Sequence, residues 1–79
     1  MEKRIAVVSI IVEDRAKTDK INTLLHEFRE YVKGRLGLPA VNPGVSVICV
    51  VIDAPGDIIN AVTGKIGMIE GVKAKTLIR

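Results

Sequence analysis

Residues 4–12 read Arg-Ile-Ala-Val-Val-Ser-Ile-Ile-Val, and residues 45–52 read Val-Ser-Val-Ile-Cys-Val-Val-Ile. In the first stretch Ile5, Val7 and Ile11 fall on one alternating set, with Ala6, Val8, Ile10 and Val12 on the other. The second repeats this, with Val45, Val47, Cys49 and Val51 set against Ile48, Val50 and Ile52. β-Branched residues on both sets predict strands with apolar neighbours on both faces, so both belong in the centre of a sheet.

Between them the period changes. Ile21, Leu24, Leu25, Phe28 and Val32 are spaced as one stripe of a helix. That spacing predicts a helix starting near Thr18, a possible N-cap, after an irregular turn, and stopping at Gly34 with Lys33 placed against the helix dipole. Residues 35–41 then alternate Leu36, Leu38 and Ala40 against other types, and Pro39 lacks the N–H that a central strand donates. This second strand therefore belongs at an edge, followed by a tight Asn42-Pro43-Gly44 connection.

Beyond the second central strand, Asp53-Ala54-Pro55-Gly56-Asp57 reads as the opening of a second helix, a cap with Pro in the first turn. That helix carries Ile58, Ile59, Val62 and Ile66 and stops around Gly67. Val72 to Ile78 alternates again, with Lys73 and Lys75 guarding it as they would an edge strand. The order is βαββαβ. Two right-handed crossovers put both helices on one face of a four-stranded antiparallel sheet ordered 4-1-3-2, an α+β, ferredoxin-like sandwich.

The chain has 79 residues, which makes residues 1–79 one domain near the lower limit at which a hydrophobic core offsets chain entropy. Its single cysteine, Cys49, closes no internal disulfide, and there is neither a CxxC pair nor a Cys/His cluster, so disulfide scaffolds and zinc modules are excluded. A reducing, cytoplasmic setting is expected. The apolar run at residues 5–12 is shorter than a signal peptide or a membrane span requires, and no membrane association is expected. Abundant Ile and Val with no Gln suit a protein built for heat.

Two helices cover only one face of such a sheet, yet the central strands offer apolar side chains to both. At about 1.5–3 kcal/mol per fully buried Val or Ile, three or four such residues per strand left in water forfeit on the order of 10 kcal/mol. Self-association through the open face, as a dimer or tetramer, is the expected remedy.

No residue pattern argues for catalysis. Cys49 lies mid-strand, away from any cationic group that would activate a thiolate, and reads as inert. His26 falls opposite the apolar stripe, where it reads as a solvated side chain pairing with Glu30. Thr63-Gly64-Lys65-Ile66-Gly67 lacks the upstream Gly and the following Ser or Thr of a phosphate loop and sits at a helix end. Gly64 is best explained by close packing against a neighbour.

The formal net charge is +3, with Arg35, Lys65, Lys73, Lys75 and Arg79 spread as solvated edge charges. Nucleic-acid modules of this topology stack bases on aromatics of the central strands, and here there are none. Copper carriers need paired Cys in the first loop, and an acylphosphatase-like cradle needs glycines there; this chain has Glu13-Asp14-Arg15. A non-enzymatic protein with no cofactor and no metal is the expectation.

Gly34-Arg35-Leu36-Gly37-Leu38-Pro39, Val51-Ile52-Asp53-Ala54, Thr63-Gly64-Lys65-Ile66-Gly67 and Gly71-Val72-Lys73-Ala74-Lys75-Thr76 together resemble the iron-only hydrogenase system regulator family. That family is grouped with ACT-like domains and with the C-terminal domain of the nickel-responsive repressor. The resemblance implies a regulatory or sensing role and a multi-chain, typically tetrameric, assembly. Residues 35–41 contain no His, so the repressor's nickel chemistry is not expected, and residues 13–16 lack the glycine beside which ACT domains bind amino acids. Effector contacts are expected in clefts between copies, at Asp14 and Arg15 of the first loop and at Asp53, Gly56 and Asp57, where paired carboxylates suit an amine or cation better than a phosphate. The competing reading is a basic, oligomeric nucleic-acid-binding transcriptional regulator; assembly without a ligand is a third.

Overall fold

A computed structural model describes residues 2–79, with the side chains of residues 40–42 outside the described set. The expected placement of the Ala40 side chain lies among these. The elements run β1 (Lys3–Val12), a 3-10 turn (Arg15–Lys17), α1 (Thr18–Glu27), a second 3-10 turn (Arg29–Tyr31), β2 (Val32–Asn42), β3 (Val45–Pro55), α2 (Gly56–Gly67) and β4 (Val72–Ile78). The four strands form one antiparallel sheet ordered β2-β3-β1-β4. The two doubly apolar strands are central, and the strands bearing Pro39 and the lysines are at the edges, as the sequence predicts.

Register divides β1 and β3 cleanly. Ala6, Val8, Ile10 and Val12 are fully buried, as are Val50, Ile52 and Ala54 of β3, with Ile48 nearly so. Ile21 and Leu25 of α1 and Ile59, Val62 and Ile66 of α2 close this core from above. Both helices therefore cover the same face. Across the core's rim, the hydroxyls of Thr63 on α2 and Thr76 on β4 lie 2.8 Å apart, and Thr63 also donates to the Ile59 carbonyl at 2.9 Å.

Three boundaries differ from the sequence reading. The first helix ends at Glu27 rather than at Gly34: its C-cap is Phe28, a 3-10 turn follows, and Val32 pairs with Ile52 as the first residue of β2. Val32 fits the helical stripe and the strand equally well, and the strand ladder satisfies its backbone. The helix opens from Lys17, so Thr18 is its first residue rather than its cap, and the turn before it is closed instead by Asp14, whose carboxylate accepts from the Ala16 N–H at 3.0 Å.

At the other end, β3 runs on through Asp53 and Ala54 to Pro55, and α2 begins at Gly56 with no side-chain cap. Asp53 pairs with Ile5, so it extends the ladder rather than capping a helix. Gly64 also departs from expectation: a Cβ there would meet nothing within 4 Å, so no packing within the chain requires glycine.

Candidate functional site

The face of the sheet away from the helices is built from the other alternating set. Register places Val7 between Val51 and Leu77, Ser9 between Cys49 and Lys75, and Ile11 between Val47 and Lys73, with Leu36 and Leu38 of β2 beyond Cys49 and Val47. Leu77 is 74% exposed, Leu36 59%, Leu38 49% and Ile11 43%. The result is an apolar plateau over β2, β3 and β1, bordered along β4 by Lys73 and Lys75, with Ser9 within it and Asp53 at its far end opposite Ile5. Cys49 sits half-buried in its middle. An apolar surface rimmed by charge is a candidate interaction surface.

The five residues expected to contact an effector occupy opposite ends of the sheet. Asp14 and Arg15 follow the last residue of β1, where the α2–β4 connection meets them: the Glu13 N–H donates to the Gly71 carbonyl at 2.8 Å, and Glu13 pairs with Lys73 at 3.2 Å. Asp53, Gly56 and Asp57 lie at the other end, beside Ile5 near the start of β1. Seven residue rises along β1 separate the two groups by about 23 Å. Within one chain they do not meet. Asp57 is exposed in the first turn of α2, where its charge complements the positive helix end.

His26 is exposed on α1, but Glu30 lies in the 3-10 turn beyond the helix end, so the expected spacing of four along one helix is lost. The His26 carbonyl instead accepts from the Arg29 guanidinium at 2.9 Å. Among the described residues, no three His, Cys, Asp or Glu side chains gather as metal donors. Lys65 lies over the Phe28 ring, 5.4 Å from its centroid.

The helical face carries grooves that the sequence reading did not anticipate. One of about 370 Å³ runs between α1 and α2, past Leu24, Lys65 and Ile69. Another, of about 280 Å³, separates α1 from β2 and is lined by Asn22, Leu25, His26, Arg29, Val32 and Arg35. Its residues lie on α1, the second 3-10 turn and β2, which only the tertiary fold brings together. Arg35 was readable as a surface charge; its hydrogen bond to the Asn22 side chain, at 2.7 Å across the groove, was not.

Residues 4–76 match the family described as TM1266-like, "Iron-only hydrogenase system regulator, putative". The chain belongs to this regulator family. A solved relative, the uncharacterized protein TM1266 from Thermotoga maritima, is 40% identical over 98% of each chain, with a TM-score of 0.90. The regulator fold is also similar to the apo form of CPII from Thiomonas intermedia K12, a nitrogen regulatory PII-like protein. That likeness covers 96% of this chain and 91% of CPII at 15% identity and a TM-score of 0.54, and it concerns the fold alone. No curated protein matches the chain. The family resemblance read from residues 34–39, 51–54, 63–67 and 71–76 thus agrees with the match, which supports a regulatory role.

Proposed function

We propose that this family member is a non-enzymatic regulatory module that pairs with copies of itself through the open sheet face and senses a small effector, or a partner protein, in the clefts so formed. The apolar plateau of Val7, Ile11, Val47, Val51, Leu36 and Leu38 supports the reading, because both helices lie on the other face and none of the described residues covers it. A two-fold axis lying in the interface and across the strands reverses strand direction between copies. It would stack the Asp14 and Arg15 end of one copy over the Asp53, Gly56 and Asp57 end of the next, uniting the residues that one chain holds apart.

Light scattering at micromolar concentration tests the first half. A dimer or tetramer mass is expected, and a stable monomer overturns the proposal. A thermal-shift screen of amines, amino acids and cations on the assembled protein tests the second, since a ligand that binds the folded state raises its melting temperature. DNA affinity falling steeply with salt would instead favour the nucleic-acid-binding regulator, a reading supported by the net charge of +3.

A further inference from the structure

The groove between α1 and the edge strand β2 carries two positive charges and no negative one among its lining residues. Two guanidiniums, Arg29 and Arg35, and the His26 imidazole line it, and no carboxylate does. The only ion pair among the described residues, Glu13 with Lys73, lies elsewhere, so neither guanidinium is ion-paired, although Arg29 also borders a cleft lined by Glu27 and Glu30. Arg35 spends one donor on Asn22 Oδ1 and Arg29 one on the His26 carbonyl, and most of their N–H groups stay open. Leu25 and Val32 give the groove an apolar floor.

The groove continues inward. Asn22 and Arg35 also line an adjoining recess of about 160 Å³ whose lining includes Thr18, Ser46, Leu38 and Val47. Ser46 is the buried polar residue of β3, only 7% exposed, and it adds a hydroxyl to that lining. Thr18 is the first residue of the ten-residue helix α1, and its N–H is already donated to the Arg15 carbonyl of the preceding 3-10 turn. The acidic residue of the first turn of α1, Asp19, lines the groove on the other side of the helix.

We propose that this groove binds a small molecule through an oxyanion, a carboxylate or phosphate group held by Arg29 and Arg35, with the rest of the molecule lying on Leu25 and Val32 toward Ser46. Planar guanidiniums match the geometry of such anions, and a groove of this size admits a small ligand rather than a polymer surface. The arginine groove lies within one chain, on the helical face, and only the adjoining recess reaches the plateau residues Leu38 and Val47 at the sheet edge. The groove therefore does not depend on self-association, and it takes the opposite charge to the one suited by Asp53 and Asp57.

The experiment is an NMR titration of the isotopically labelled full chain with inorganic phosphate and, separately, succinate, at ionic strength matched with sodium chloride. Saturable shifts are expected at the amides of Asn22, His26, Arg29 and Arg35, and the anion that saturates at lower concentration identifies the preferred group. Arg35→Met and Arg29→Met should each weaken binding about tenfold, the loss of a charge-assisted hydrogen bond. Lys75→Met, which removes the same charge from the opposite edge strand, should leave it unchanged. Shifts that fail to saturate with both anions, or that gather on β4, overturn the proposal, as does an equal loss in Lys75→Met. Light scattering on the same samples reports self-association separately.

Discussion

Gly71 and Asp14 are in the tightest contact any glycine makes here: a Cβ on Gly71 would stand 3.0 Å from the Asp14 Cβ. Gly71 also has φ +80°, and its carbonyl receives the Glu13 N–H. One glycine thus lets the α2–β4 connection press against the first loop. Gly71→Ala is expected to lower stability by about 1–3 kcal/mol, from the left-handed backbone and the crowding together. Chemical denaturation should show it as a lower midpoint at unchanged slope.

Gly64 predicts the opposite sign. It lies within α2 at ordinary helical φ, and its added methyl would meet nothing. Gly64→Ala should stabilise the chain by about 0.5–1 kcal/mol through helix propensity. A loss in thermal melting would mean that another molecule packs on that spot.

Ile10 and Ile11 are neighbours in sequence with opposite environments, one fully buried and one 43% exposed. Ile10→Ala should cost about 2–5 kcal/mol at any protein concentration. Ile11→Lys should leave a folded chain with a well-dispersed NMR spectrum but shift the light-scattering mass to that of a monomer. Retention of the wild-type mass by Ile11→Lys would remove the plateau from the interface.

The Thr63–Thr76 hydroxyl pair can be dissected by a double-mutant cycle. Thr63→Val leaves the Thr76 hydroxyl part-buried without its partner and should cost about 1 kcal/mol. Adding Thr76→Val should recover part of that loss, because no polar group is then stranded. Strict additivity in urea unfolding would show that the two hydroxyls do not interact.

The sheet was legible because its signal is local and redundant: residues 4–12 and 45–52 announce central strands, while Pro39, Lys73 and Lys75 announce edges. Boundaries were misread where a tertiary ladder outcompeted a local pattern. Val32 continues the helical stripe of Ile21 and Leu25, yet its pairing with Ile52 draws it into β2. Gly34 resembled a helix stop, but only Gly44 and Gly71 have positive φ among the described glycines, and Gly34 pairs with Val51 in the strand.

The candidate groove was invisible in sequence for a related reason. Asn22 and Arg35 lie 13 positions apart on elements whose facing sides no periodicity reveals. The apolar plateau, by contrast, followed directly from counting sheet faces against helices.

The two rims of the sheet have a consequence for how far any assembly can grow. β2 offers an outer ladder broken at Pro39, and β4 presents ammonium groups beside its own. Neither rim accepts another strand readily, so lateral ribbons and fibrils are disfavoured. If copies pair through the open sheet face as proposed, growth by added strands is blocked at both rims, which favours a closed dimer or tetramer over an open-ended stack.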